Sequence, residues 1–362
     1  CFGYGLLQPL FPALARAGGW VHGDSPLVFA QTAMVRKRWI GDGQLQELEQ
    51  HYIQAMVQLS VYAYWGWHWR PVYEAAALIV GQVIFVYGFA LLLSWTLGRR
   101  YALGFGPIPI VFSVNLFLWF RDDWFYLQFL LLAVGFLGKE FVRWQRDGRS
   151  THIFNPSAFA LGAFSLVLIA TGTTDLTWGR EIATTLTLAP NIYLFLFVAG
   201  LVVMHFFEIT LVAASAAAVL FGGSALYFAV TGVPYFVDSD IPAAVFLGLH
   251  LLVTDPSTSP RSRPGKAVFG ALYGIGVLAL YAALTQYAAP TFYDKLLCVP
   301  LLNLAVRGID ATVRRVVEGP APTLRLPAVP LERLNLAFMA VWMVFFGAMT
   351  MQGRTEIGRA HV

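Results

Sequence analysis

Two stretches of the sequence set ligand-binding chemistry beside apolar segments: His152-Ile153-Phe154-Asn155-Pro156-Ser157 and Val253-Thr254-Asp255-Pro256-Ser257-Thr258-Ser259-Pro260. Each places Asn or Asp before Pro and follows the pair with Ser. An Asx side-chain oxygen accepts from the first free amides of a helix, and Pro at the first helical position gives up no hydrogen bond. A helix that starts inside a membrane presents a partial positive charge, suited to a phosphate, a carboxylate or an electron-rich ring. Either motif alone also reads as an ordinary helix cap. Two of them, about 100 residues apart, predict an internal repeat, and paired broken helices in corresponding halves point to a binding site near the midplane.

Other ionisable residues stand at membrane edges or inside apolar runs. Lys139 and Glu140 read as an interfacial pair or as ligand contacts, and Asp255 suits either a cation or a helix cap. His205 and Glu208 lie three apart on one helical face, and His250 lies in the short apolar segment before Asp255. Intramembrane ionisable groups are costly and mark pathways or pockets, so a proton relay or a bis-His haem is one reading and a hydrogen-bonded packing histidine the other. Cys1 and Cys298 are too few for a tetrathiolate cluster or a disulfide framework, and no structural metal is implied. The sequence has no nucleophile and base constellation of a hydrolase, and neither a Walker nor a dinucleotide glycine fingerprint.

The elements that must carry these residues are apolar helices. The chain is 58% hydrophobic and 12% charged, against roughly 25% charged for soluble domains, so the lipid bilayer is its natural solvent. Its 11 Trp and 29 Phe suit rings at membrane interfaces. Lys and Arg exceed Asp and Glu by only 24 to 20, which asks for no nucleic-acid partner.

Residues 1–70 read as a non-spanning, interfacial region. There Leu45, Leu48, Tyr52, Ile53 and Met56 fall at helical spacing opposite Gln46, Glu47, Glu49 and Gln50, with Trp65, Trp67 and Trp69 at the headgroup level. Residues 71–351 read as the transmembrane domain. Residues 75–97 form the clearest span, and 103–120 carries Gly104, Gly106, Pro107 and Pro109, which predict an irregular first half. Residues 124–137 and 241–253 are short for a crossing, in the length class of re-entrant segments. Residues 192–230 divide into two helices near Glu208 or at Gly222-Gly223, and 153–174, 267–289, 291–305 and 334–351 complete the set. The expected fold class is an all-α integral membrane protein with about ten transmembrane segments in two pseudo-symmetric repeats that include short or broken helices. The sequence opens on Cys1 with neither an initiator Met nor a signal-peptide pattern, which predicts a fragment. Residues 352–362, ending in Glu356 to Val362, read as a translated sequencing adapter.

Positive charges gather at Lys139, Arg143, Arg146 and Arg149, at Arg261, Arg263 and Lys266, and at Arg307, Arg314 and Arg315. Alternation puts all three groups on the cytoplasmic side, with Asp175, Glu181, Asp238 and Asp240 in loops on the opposite, periplasmic side. The same parity sets Arg99-Arg100 inside and Arg36-Lys37-Arg38 outside, unless a further segment precedes Ala75.

Gly138-Lys139-Glu140, Phe154-Asn155-Pro156-Ser157-Ala158 and the run from Thr254 to Pro260, with Gly265-Lys266 and Tyr273-Gly274 after it, resemble one family. It comprises the membrane subunits shared by Rnf complexes (the D subunit) and sodium-translocating NADH:quinone oxidoreductase (the B subunit). The likeness covers roughly residues 75–310. It implies about ten helices in two repeats, FMN or riboflavin as cofactor, and a multi-pass place in a bacterial inner membrane. It also implies other membrane subunits of a redox complex as partners, in an assembly that couples electron transfer to ion movement. The flavin-binding residues implied are Lys139, Glu140, Asn155, Pro156, Asp255, Ser257, Thr258 and Lys266. Arg263 and Lys266 either face a flavin phosphate or mark the cytoplasmic side.

In the respiratory members FMN is joined through its phosphate to a Thr in a Ser-Gly-Ala-Thr sequence. Here Arg180-Glu181-Ile182-Ala183-Thr184 stands at the matching place, with Glu181-Ile182 in place of Ser-Gly and Trp178 where an acidic residue precedes the Thr by six. Thr184 therefore reads as a flavin attachment point or as a polar helix cap. The chain is similar also to the UnbU-like membrane proteins named from enediyne biosynthesis clusters, which implies a structural or export role in a biosynthetic system. A non-redox transporter of a small solute, built on the same broken helices, is the second reading, ahead of that structural or export role.

Overall fold

The computed structural model describes residues 42–98, 104–146, 148–236, 241–317 and 331–353. Cys1, Arg36-Lys37-Arg38, Arg99-Arg100, Asp238, Asp240 and the tail from residue 354 lie outside the described residues. The chain divides into two units, residues 1–49 and 50–362. Of the first, only residues 42–49 are described, as the opening turns of α1 (Asp42–His68).

The second unit is mostly helical. A single turn (Pro71–Glu74) leads into α2 (Ala76–Thr96), followed by α3 (Pro107–Asn115) and α4 (Tyr126–Phe141). A hairpin of β1 (Arg143–Arg146) and β2 (Arg149–His152) precedes α5 (Pro156–Thr171), α6 (Gly179–Thr185), α7 (Ile192–Phe207) and α8 (Thr210–Thr231). The chain continues through α9 (Ala243–Leu251), α10 (Arg263–Gln286), α11 (Asp294–Val317) and α12 (Leu331–Met351).

Among the described residues, five helices are long and apolar enough to cross a membrane: α2 with its leading turn, α8, α10, α11 and α12. The pair Gly179–Leu188 and Ile192–Phe207, bent by 101°, makes a sixth if taken as one broken span. The chain is thus a multi-pass membrane protein. The count is below ten because α3 and α9 have 9 residues and α4 and α5 have 16. At 1.5 Å per residue, even 16 residues reach only about 24 Å of a ~30 Å hydrocarbon core.

Of the two break points open to residues 192–230, the chain takes Glu208, which adopts a left-handed backbone (φ 53°) between α7 and α8. Gly222 and Gly223 pass through mid-helix. From Gln50 onward, α1 packs inward: Tyr62 Oη donates to Phe112 O at 2.6 Å and Gln58 Nε2 to Pro109 O at 3.3 Å. Trp65 is fully buried and stacks on Trp69 and Trp119 with centroids 5.2 and 5.5 Å away. Of the three tryptophans expected at the interface, Trp67, 79% exposed, faces outward.

Small residues let the long helices touch backbone to backbone, the packing mode available where lipid gives no hydrophobic drive. A Cβ on Gly270 would come within 2.1 Å of Val212 O, and one on Gly274 within 2.9 Å of Ala216 O, so α10 lies directly on α8. In the same way, a Cβ on Gly135 would meet Pro156 O at 2.8 Å, which sets α4 against the start of α5. Pro300 stands inside α11 and leaves Leu296 O without its helical donor. Gly162 of α5 packs there, its place for a Cβ lying 2.7 Å from Pro300 Cγ and 3.0 Å from Leu296 O. Between α2, α3 and α4, the buried amides of Gln82, Asn115 and Gln128 hydrogen-bond to one another, and Asn115 and Gln128 also reach the carbonyls of Val111 and Leu118. That network satisfies polar side chains which would otherwise be stranded in an apolar interior.

Candidate functional site

α5 begins where Asn155 turns the chain. Its Oδ1 accepts from the backbone N–H of Ser157 (3.1 Å) and of Ala158 (3.3 Å) and from Ser157 Oγ (2.7 Å), while Pro156 occupies the first turn. This is the expected cap. The hairpin before it departs from an all-α chain. Arg143 pairs with His152 and Arg146 with Arg149, and Gly148 (φ 77°) supplies the left-handed turn residue.

Asp255 repeats the local pattern. Its Oδ1 accepts from the Ser257 N–H (2.9 Å) and Ser257 Oγ (2.7 Å), and its Oδ2 accepts from Thr258 Oγ1 (3.1 Å). No helix follows it, however. α10 starts seven residues after Pro256, at Arg263, under a cap from Ser262, whose Oγ accepts from the Gly265 N–H at 3.1 Å. Pro260 explains the difference: four residues after Pro256, it removes the N–H a helix would need there and drives Ser259 out of the helical region. Asp255 therefore shapes a turn rather than capping a helix.

The two motifs meet. Asn155 Nδ2 donates to Leu252 O at 3.3 Å, and His152 Nε2 lies 3.0 Å from Ser257 Oγ. Asn303 of α11 clamps them: its Oδ1 accepts from the Asn155 N–H (3.1 Å) and its Nδ2 donates to Thr258 O (3.3 Å). Arg146 closes the junction by donating twice to Ser259 O (3.1 Å each) and pairing with Asp310 at 2.8 Å. Arg307 lies over Trp144, 5.3 Å from its centroid. The three basic groups seen in the sequence thus belong to one end of the bundle. Asn303 is 1% exposed in a run otherwise apolar, and that lone amide is the signal that would have found it.

The structure brings Asn155, Pro156, Asp255, Ser257 and Thr258 into one hydrogen-bonded junction. Lys139 and Glu140 are half-buried at the end of α4, just before the hairpin. Lys266, in the first turn of α10, donates from Nζ to Glu208 O at 2.9 Å, where a cation complements the end of α7. Thr184 stands apart. It is exposed on α6, beyond the far end of α5, about 24 Å of helix from Asn155. Its Oγ1 donates to the carbonyls of Arg180 (3.2 Å) and Glu181 (3.1 Å). Nearby, Arg121 pairs with Glu181 at 2.9 Å and lies 4.4 Å above the Trp178 ring.

His205 is exposed, and the left-handed turn at Glu208 takes the two off a common helical face. His250 is fully buried, with Nδ1 2.8 Å from Phe246 O and its ring among Phe246, Phe197 and Trp342. Among the described residues, no group of three or more His, Cys, Asp and Glu is gathered for a metal.

The Thr184 end also holds a buried acid–base pair. Asp294 and Lys295, 1% and 2% exposed, pair at 3.3 Å at the start of α11. Phe292, two residues before Asp294, packs on Gly179 at the start of α6. No protein-family model, curated protein or solved structure matches the chain.

Proposed function

We propose that this chain is a flavin-binding membrane subunit of a redox complex that couples electron transfer to ion movement across a bacterial inner membrane. The observation that carries the reading is the meeting of the two Asx-Pro-Ser motifs. Two stretches 100 residues apart, with the same side-chain hydrogen-bond pattern at Asn155 and Asp255, join at one end of the bundle. The glycine-mediated pairs α4 with α5 and α8 with α10 add a second likeness between the halves. Both features support two related halves with about ten membrane segments, short ones included, as does the resemblance to the Rnf and sodium-translocating oxidoreductase subunits.

The polar atoms of Asn155 and Asp255 are engaged by their own chain, so that junction suits a rigid joint between the halves better than a direct hold on a ring. Thr184 fits a phosphate better. Its residue is exposed, its hydroxyl donates to the Arg180 and Glu181 carbonyls and keeps its oxygen lone pairs, and Arg180 stands one helical turn before it. A flavin bound there would supply one-electron and two-electron chemistry, and the protein would set its orientation and potential. Partner subunits of the same complex would supply and accept the electrons.

The experiment is purification from the membrane, with an absorbance spectrum for bound flavin and in-gel fluorescence for covalent flavin after expression beside a flavin transferase. A folded protein with no flavin absorbance overturns the reading. The bent pair at 101° favours a second reading, a non-redox transporter, which solute flux in liposomes without a redox partner would support.

A further inference from the structure

We propose that Asp294 and Lys295 form a proton-exchange site within the membrane, an inference that rests on the ion-coupling half of the proposed function. Both side chains lie almost wholly out of solvent contact. Lys295 Nζ contacts Asp294 Oδ1 and donates to Phe292 O, and Asp294 Oδ1 also accepts from the Lys295 N–H at 2.5 Å. A buried pair of this kind gives little net stability over an apolar pair of similar volume. Ionisable groups inside a membrane mark pathways.

A second observation points to exchange. The hydroxyl of Tyr273, a fully buried residue of α10, has no hydrogen-bond partner among the described residues. It converges with the Lys295 stem on Gly248 of α9: a Cβ there would come within 3.0 Å of the hydroxyl and 3.4 Å of Lys295 Cδ. Glycine keeps open the spot where hydroxyl and lysine meet. A tyrosine hydroxyl both donates and accepts, so it suits a proton passing to or from the pair.

Among the described residues, few titratable groups surround the carboxylate. Tyr273 of α10, Tyr235 of the turn after α8 and Cys298 of α11 interact with it electrostatically. Tyr293 precedes it in the chain, α9 carries His250, and α6 brings Arg180 and Glu181, the latter paired with Arg121. α5 has no ionisable residue. Among the described residues, Lys295 is thus the cation in contact with Asp294. A proton arriving on Asp294 turns carboxylate into carboxylic acid, takes the pair from net zero to net positive and releases the Lys295 ammonium. Loss of the same proton restores the pair.

The test is reaction of the intact, solubilised protein with dicyclohexylcarbodiimide. The reagent adds to a protonated carboxyl: the acid proton moves to a carbodiimide nitrogen, the carboxylate oxygen bonds to the central carbon, and the adduct rearranges to a stable N-acylurea with no leaving group. Peptide mapping is expected to find the label on Asp294, with a rate that falls about tenfold per pH unit over part of the range from about pH 5 to 9, and none in that peptide of Asp294→Asn. Sodium ions at fixed pH leave the rate unchanged. Absence of label at every pH, a rate indifferent to pH, or protection by sodium overturns the proposal. Labelling needs no flavin. A protein that purifies without flavin but labels in this way sinks the flavin reading alone, and a flavoprotein whose Asp294 stays unlabelled sinks the exchange site alone.

Discussion

Asn303 accepts the backbone N–H of Asn155 at 3.1 Å and, through the other end of the same amide, donates to Thr258 O at 3.3 Å. One side chain of α11 thereby ties the start of α5 to the loop before α10. Asn303→Leu keeps the heavy-atom count and the branch at Cγ, at a somewhat larger volume, and removes both bonds, leaving a buried N–H and a buried carbonyl without these partners. The expected loss is about 1–3 kcal/mol, read as a lower melting temperature in detergent.

The Arg146 and Asp310 pair, 9% and 16% exposed, anchors the hairpin to α11. Arg146→Gln and Asp310→Asn are each expected to destabilise by about 1–3 kcal/mol, because each strands a charged partner. In a double-mutant cycle the two effects add to less than their sum. Strict additivity would show that the pair makes no net interaction.

Gly270 and Gly222 offer a matched contrast in the α10 and α8 packing. Gly270→Ala drives a methyl into the Val212 carbonyl, which is backbone and can yield only by separating the helices, whereas Gly222→Ala meets nothing within 4 Å. Expected costs are about 1–3 kcal/mol for the first and no loss for the second, where alanine improves helix propensity. Equal melting temperatures for the two variants would contradict the close contact.

Lys295→Met strands the Asp294 carboxylate and is expected to lower folded yield, at a cost of about 3–5 kcal/mol. Adding Asp294→Asn to it removes the stranded charge and restores part of the yield. Size-exclusion profiles of the two proteins decide the matter.

Thr184 and Thr185 separate attachment from capping. Thr184→Ala is expected to abolish any covalent flavin fluorescence while Thr185→Ala, whose half-buried hydroxyl bonds to Ile182 O, retains it.

Long apolar runs were readable because length and hydropathy alone determine them: α2 falls within a residue of its expected bounds, and Glu208 was one of two break points the pattern allowed. The hairpin was not foreseen, since Trp144 and Gln145 lie in a short polar stretch read only for its charge. Asp255 shows a different limit. Its motif copies that of Asn155, and only Pro260, four residues on from Pro256, turns the same local chemistry into a loop. The meeting of the motifs is a contact across about 100 residues, reinforced by Asn303, which lies farther still in sequence, and no local pattern joins it to Asn155.

α11 carries the Asp294 and Lys295 pair at its first turn and the Asn303 and Asp310 contacts towards its other end, about 24 Å further along the helix from Asp294 to Asp310. One continuous helix therefore carries both the buried ion pair and the clamp on the two motifs. Between them, Pro300 interrupts the backbone ladder and Gly162 of α5 lies against the freed carbonyl of Leu296, which makes this the position on α11 where a bend costs least.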